Sequence, residues 1–278
     1  MKKIDIHCHA TYRPMSEVTD KDASPENILR YMDKYEVEKT VLLASYFPHK
    51  GSGISNYRLV RWLDRVDPNR DRFLMFGSLD AASYLNMGLN ELQDLAAAKL
   101  ICGIKIYTCY QDIDIYDSKF SQVMGLARSY GFPVMFHTGH SYACRRKYGK
   151  DSPAPLYTAQ DFHDFAHQWR DINLILSHMS KPYFKEILDL CSVHPNVFTD
   201  MSGIIDSSYD ESDIPTCTEE IKLFINNVGA RRILFGTDFP VQTHEHSIRF
   251  VEKATLNMDD QTRESIYHGN AVKLLGLK

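Results

Sequence analysis

Five residues of this chain have the chemistry of a metal centre. His7 and His9 stand two apart at the end of the segment Lys3–His9. On an extended strand both imidazoles then project to one side and can converge on one ion. His137, His178 and Asp238 each close an apolar run: Phe132-Pro133-Val134-Met135-Phe136-His137, Leu174-Ile175-Leu176-Ser177-His178 and Ile233-Leu234-Phe235-Gly236-Thr237-Asp238. One strand-end histidine is usually a core side chain satisfied by a hydrogen bond, and a lone His-x-His decides nothing. Five such groups at strand ends are a different matter. Burying them side by side without an ion costs several kcal/mol of desolvation and unmade hydrogen bonds, which a divalent cation offsets. Nitrogen and carboxylate donors suit zinc, with manganese, iron or cobalt as alternatives. Such an ion brings the pKa of its water to about 7. Asp238 is then placed to take a proton and pass it on, and His178 to polarise a carbonyl or meet a developing oxyanion.

These residues span most of the chain, so the elements must bring them together. Eight apolar runs read as strands: Lys3–His9, Thr40–Ala44, Phe73–Ser78, Gly103–Tyr107, Val134–His137, Asn173–His178, Val197–Met201 and Ile233–Asp238. Helical patterns alternate with them. Pro25 opens one behind Ser24, a serine N-cap with proline in the first turn. Others cover about Asn56–Val66, Asn86–Ala98, Ser118–Tyr130, Thr158–Trp169, Pro182–Cys191 and Thr218–Val228. One follows Asp238, and a last one covers about Asp259–Leu275. Eight strand–helix repeats predict an α/β fold, a parallel sheet closed into a (β/α)8 TIM barrel, as a single domain over residues 1–278. An open doubly wound sheet is the alternative, but no glycine-rich phosphate loop follows an early strand. Strand ends in a barrel share one mouth, so the five residues meet there. Strict alternation along the first strand puts Asp5, His7 and His9 on the inner face and Ile4, Ile6 and Cys8 under the helices, with Cys8 packed and inert.

Lys105, between Ile104 and Ile106, is expected inside the barrel, where a lysine is rare unless paired. Three roles are open to it: carboxylated and bridging two metals, binding a substrate carboxylate or phosphate, or pairing with Asp5 or another acid. Tyr12 and Arg13 follow the first strand at the same mouth. Arg13 and Arg145, with Arg146 beside it, are candidate carboxylate clamps, and Tyr107 either lines the pocket or packs. Two long loops, His140–Tyr157 with its basic Arg145-Arg146-Lys147 and Gly203–Thr216 with Asp206, Asp210, Glu211 and Asp213, are placed to shape a substrate pocket, unless their charges are merely solvated.

Composition narrows the partners. A net charge of −4 over 278 residues gives no electrostatic case for nucleic acid. No apolar run reaches transmembrane length, and Met1-Lys2-Lys3 leads straight into the first strand, so a cytoplasmic protein without signal peptide or membrane association is expected. Six cysteines without CxxC spacing are expected as free thiols.

The chain resembles the amidohydrolase superfamily. The likeness rests on Asp5-Ile6-His7-Cys8-His9, Phe136-His137-Thr138-Gly139, Leu176-Ser177-His178, Phe235-Gly236-Thr237-Asp238-Phe239-Pro240 and the terminal His268-Gly269-Asn270-Ala271-Val272-Lys273-Leu274-Leu275-Gly276-Leu277. Its nearest branch is the amidohydrolase-related group, with aminocarboxymuconate-semialdehyde decarboxylase and its hydrolase relatives. The resemblance implies a distorted TIM barrel in which His7, His9, His137 and Asp238 ligate one metal. His178 would activate water, or ligate a second ion together with Lys105. It implies an enzyme acting on a small molecule and often a homodimer. Two activities share these ligands: hydrolysis of an amide, ester or lactone of a small carboxylate-bearing or cyclic compound, and non-oxidative decarboxylation of an aromatic or muconate-like acid. A phosphoesterase or nuclease is disfavoured by the absence of a basic stripe, and a non-catalytic scaffold by the filled ligand positions.

Overall fold

A computed structural model describes residues 1–12, 22–46, 54–111, 113–139, 157–205 and 211–277. Arg13, Cys144, Arg145, Arg146, Lys147, Asp206 and Asp210 lie outside the described residues. Eight strands run in chain order and parallel: β1 (Lys3–Cys8), β2 (Val37–Leu43), β3 (Phe73–Ser78), β4 (Ile104–Ile106), β5 (Val134–Phe136), β6 (Leu174–Leu176), β7 (Val197–Asp200) and β8 (Ile233–Leu234). The segment after β8 reaches β1. Ile6 N–H donates to the Phe235 carbonyl at 3.0 Å, Asp238 N–H to His7 at 2.7 Å and His9 N–H to Phe239 at 2.8 Å. The expected TIM barrel is therefore the observed one.

The helices are α1 (Pro25–Tyr35), α2 (Asn56–Val66), α3 (Leu85–Ala97), α4 (Ser121–Tyr130), α5 (His163–Gln168), α6 (Phe184–Val193), α7 (Ile214–Val228), α8 (His244–Ala254), α9 (Asp260–Glu264) and α10 (Asn270–Leu275). Local chemistry sets their ends. The Ser24 side chain accepts from Asn27 N–H ahead of Pro25, and Gly131 and Gly276 close α4 and α10 in the left-handed region. Helix α7 begins four residues before its expected start, with proline in its first turn. A π-helical turn, Ser265–Gly269, joins α9 to α10. No helix among the described residues is long and apolar enough to cross a membrane.

The core has two compartments. The larger lies between sheet and helices. The smaller fills the barrel itself with Ile4, Ile6, Val41, Leu43, Phe76, Met135, Ile175 and Leu234, joined by Ala271 and Leu274 of α10. Lys105 pairs in register with Met135 and so shares this inner face.

The first strand departs from the expected alternation. Asp5 pairs with Thr40 and Cys8 with Leu42, so three steps along β1 match two along β2. This β-bulge turns Ile6 and His7 both inward. Ile4 and Ile6 therefore fill the barrel rather than packing under the helices, and Asp5 points outward, 3.8 Å from His244 of α8. Cys8 keeps its expected place in the outer core, and Cys8, Cys102, Cys191 and Cys217 are free thiols.

Large and small side chains interlock inside. A Cβ on Gly103 would lie 2.4 Å from the ring of Phe76, whereas one on Gly125 in α4 would meet nothing within 4 Å. Gly103→Ala should therefore cost about 1–3 kcal/mol by overpacking, while Gly125→Ala should gain up to about 1 kcal/mol of helix propensity. Urea unfolding midpoints of the two variants should move in opposite directions.

Candidate metal centre at the mouth of the barrel

Each polar strand end sits where the ladder stops. His7 lies in β1 and His9 directly after it, Asp200 is the last residue of β7, His137 directly follows β5 and His178 is the second residue after β6. The expected strands over His137, His178 and Asp238 are shorter than the sequence implied, because the backbone turns as it reaches the mouth. His178, Met179 and Ser180 have φ of 64°, 49° and 54°, and Asp238 has 58°. Such conformations cost non-glycine residues roughly 1–3 kcal/mol each and persist only where neighbours hold them. Asp200 holds one, accepting from His178 N–H at 3.0 Å. The His7 carbonyl holds the other, through Asp238 N–H.

These turns bring the side chains together. Asp238 Oδ1 lies 3.0 Å from His9 Nε2 and 3.4 Å from His7 Nε2. His7 Nδ1 lies 3.0 Å from Asp200 Oδ2. His178 Nδ1 is 3.0 Å from the Ser202 carbonyl, and its Nε2 is 3.2 Å from His137 Nδ1. His7, His9 and Asp238 form one group whose ligand atoms lie within 4.8 Å of one another, and His7, His178 and Asp200 form a second. His137 belongs to neither group, although it touches His178. Its Nε2 is buried without a hydrogen-bond partner.

Burial and mutual charge set the ionisation. Burial, with Lys105 adding to it, drives His7 down to about 3. It also holds His137 well below and His178 below the ordinary imidazole value. Burial would raise Asp238, but the hydrogen bond from His9 and the charge of His7 outweigh it and leave the carboxyl at about 2. Asp200 is depressed in the same way, burial being overcome by His7. Neutral imidazoles beside ionised carboxylates, one ring nitrogen having no partner, are the donor set of zinc, manganese and related ions. The residues present fit such an ion.

Lys105 is fully buried. Its Nζ donates to Ser177 Oγ at 2.8 Å and lies 5.4 Å from the Tyr107 ring centroid. The pairing with Asp5 is absent, because Asp5 faces outward and accepts from His7 and Thr237 instead. Among the described residues no carboxylate lies within ion-pair distance of Lys105. Burial lowers its pKa to about 8 against the pull of Asp200 and Asp238. Tyr107 is packed, donating its hydroxyl to the Ala44 carbonyl at 2.9 Å, with its ring 6.3 Å from that of His9. Tyr12 stacks on Trp62.

Sequence reasoning missed Asp200, although it closes an apolar strand just as His137, His178 and Asp238 were read to do. Ser202, Ser177 and Gly203 carry no such signal. Gly203, at φ +57°, matters through what it lacks: a Cβ there would lie 2.6 Å from Asp238 Oδ2 and 2.8 Å from His178 Nδ1.

No curated protein matches the chain. Among solved structures, a probable 2-pyrone-4,6-dicarboxylic acid hydrolase from Acinetobacter baumannii superposes with a TM-score of 0.70 at 15% identity, covering 100% of both chains. An amidohydrolase from Burkholderia multivorans with bound zinc gives 0.71 at 15% identity, again covering 100% of both. A dihydroxybenzoic acid decarboxylase from Polaromonas with bound manganese gives 0.69 at 18% identity, covering 99% of this chain and 97% of that one. At these identities the likeness speaks for the barrel alone. The family model described as Amidohydrolase matches residues 4–277, from the strand that bears His7 to the last helix, and the chain belongs to the amidohydrolase family.

Proposed function

We propose that this protein is a metal-dependent hydrolase that directs water onto an amide, ester or lactone of a small carboxylate-bearing or cyclic substrate. One observation carries the reading. His7 Nε2 and His9 Nε2 converge on Asp238 Oδ1, while the Nε2 of His137, the ring against His178, is buried without a partner. His7, His9, His137 and Asp238 would hold one divalent ion, zinc or manganese. When bound, the ion supplies a Lewis acid that makes water more acidic or polarises a carbonyl.

The protein's own groups manage the rest. Asp238 is ionised at neutral pH, and Gly203 leaves room beside its Oδ2. That oxygen takes the proton of the attacking water and returns it to the leaving group. His9 and Asp238 are more exposed than the other clustered ligands, at 19% and 13%, so substrate approaches from their side. His178 has both ring nitrogens engaged, which leaves the proton to Asp238. Lys105 contributes a buried positive charge with a hydroxyl partner and no carboxylate within ion-pair distance among the described residues, and this favours an anionic substrate.

A second reading is non-oxidative decarboxylation. Decarboxylases such as the Polaromonas enzyme share the fold, and the anion-favouring charge of Lys105 suits an aromatic or muconate-like acid equally.

Metal content decides first. Protein supplied with zinc or manganese should hold about one ion per chain, lose activity on chelation and regain it on re-addition. His9→Ala should lose the ion while retaining its circular dichroism, and a metal-free wild-type enzyme with full activity would overturn the proposal. Assays of lactones, esters and amides beside carbon dioxide release from aromatic and muconate-like acids separate the two readings. Asp238→Asn should lower kcat by about 10²–10⁴-fold, the usual worth of a general base. Near-wild-type turnover in that variant would remove Asp238 from its role.

A further inference from the structure

Asp200 takes no part in the proposed reaction, yet it is densely hydrogen-bonded. Its Oδ1 accepts from His178 N–H at 3.0 Å, from Ser202 N–H at 3.1 Å and from the Ser202 hydroxyl, while Oδ2 faces His7 Nδ1 at 3.0 Å. Ser202 Oγ lies 3.0 Å from both His7 Nδ1 and His178 Nδ1, and the Ser202 carbonyl 3.0 Å from the latter. A neutral imidazole has a single N–H, and the partners of each ring show which nitrogen bears it.

The chemistry of the partners then assigns every proton. A carboxylate and a carbonyl only accept, and the Ser202 hydroxyl hydrogen is already given to Asp200. His7 and His178 must therefore carry their protons on Nδ1. His178 Nε2 becomes a lone pair, which requires the facing His137 Nδ1 to be the N–H. The Nε2 atoms of His7 and His137 are left as lone pairs. One faces Asp238 Oδ1 at 3.4 Å, acceptor opposite acceptor, and the other has no partner. Both arrangements call for a cation.

We propose that Asp200 and Ser202 are a positioning pair that fixes the Nδ1–H tautomer of His7, of His178 and, through His178, of His137, so that the Nε2 atoms of His7 and His137 are lone pairs before any ion arrives. The purpose of the pair rests on the metal-dependent reading above; the tautomers themselves belong to the metal-free protein.

Asp200→Asn tests the pair directly. Three donors converge at the Oδ1 place, so the amide oxygen must sit there. The NH₂ then falls opposite His7 Nδ1 and forces the proton of His7 onto Nε2, where it blocks the ligand position. Long-range proton–nitrogen correlation spectra of metal-free, ¹⁵N-histidine-labelled protein read this out, with signals assigned by their loss in His7→Gln, His137→Gln and His178→Gln. The wild type should show Nδ1–H at all three rings. Asp200→Asn should show Nε2–H at His7 and bind zinc about 10–100-fold more weakly, the usual cost of losing such an outer partner. Ser202→Ala keeps both acceptors and should retain the wild-type tautomers. An Nε2–H at His7 in the wild type, or unchanged zinc affinity in Asp200→Asn, would overturn the assignment. Should Asp200→Asn not fold, the wild-type spectrum alone decides. The expected tautomers in a wild type that binds neither zinc nor manganese would sink the metal-dependent function and leave the positioning pair standing.

Discussion

Between Asp5 and Cys8 the first strand carries one residue more than its neighbour, and the mouth of the barrel hangs from that surplus. Without it, a strand that buries Ile6 among Val41, Met135 and Leu234 would send His7 out toward the helices. With it, Ile6 and His7 both face inward, and Asp5 is turned out to become a clamp. Its Oδ1 accepts from the N–H groups of His7 and Thr237 at 3.1 Å each, and its Oδ2 from the Thr237 hydroxyl at 2.6 Å. One carboxylate thus joins the segment that carries His7 to the segment that carries Asp238. Burial pushes Asp5 up to about 7 against these hydrogen bonds. The neighbouring His244 is buried, stacked near-parallel to Tyr31 and Tyr35, and held near 4 by burial.

The inner side of the same strand obeys a harsher electrostatic rule. Asp200, Asp238 and Lys105 are charged groups taken out of water, and His7 and His178 among them are neutral because desolvation outweighs their attraction to the carboxylates. Neutral rings leave lone pairs. Lone pairs beside carboxylates, at the end of a barrel otherwise filled with Ile, Leu, Val, Met and Phe, are costly unless something positive is shared among them. Left-handed backbone at His178–Ser180 and Asp238 adds to that cost. The local arrangement therefore spends stability on a preformed polar mouth, and the apolar layer beneath it, with the helices outside, supplies the support.

The helix and strand periods, Pro25 behind Ser24, and the polar residues ending apolar runs were all legible in the chain, because they are local. So were the barrel and the meeting of His7, His9 and Asp238, since eight strand–helix repeats leave one common mouth for strand ends. Family membership followed from the order of those motifs. Three things were not legible. Strict alternation put Ile4 and Ile6 outside and Asp5 inside, because a bulge is a property of the pair of strands and not of one. Asp200 passed unnoticed since an acid at a strand end says nothing about which ring it will face. Lys105 was expected inside the barrel, but three roles stayed open to it, and only the closed barrel showed that its charge meets Ser177 and not Asp5.

What the sequence determined by itself was which side chains are present and at what period, and hence the architecture and the kind of chemistry. What only the tertiary structure decided was direction: which way His7 turns, which ring nitrogen each acceptor faces, and which carboxylate orients while the other is left open. Periodicity along one strand is set by its own backbone geometry. Direction is set by hydrogen bonds between residues as far apart as His7 and Asp200, or Asp5 and Thr237, and those partners exist for one another only once the barrel has closed.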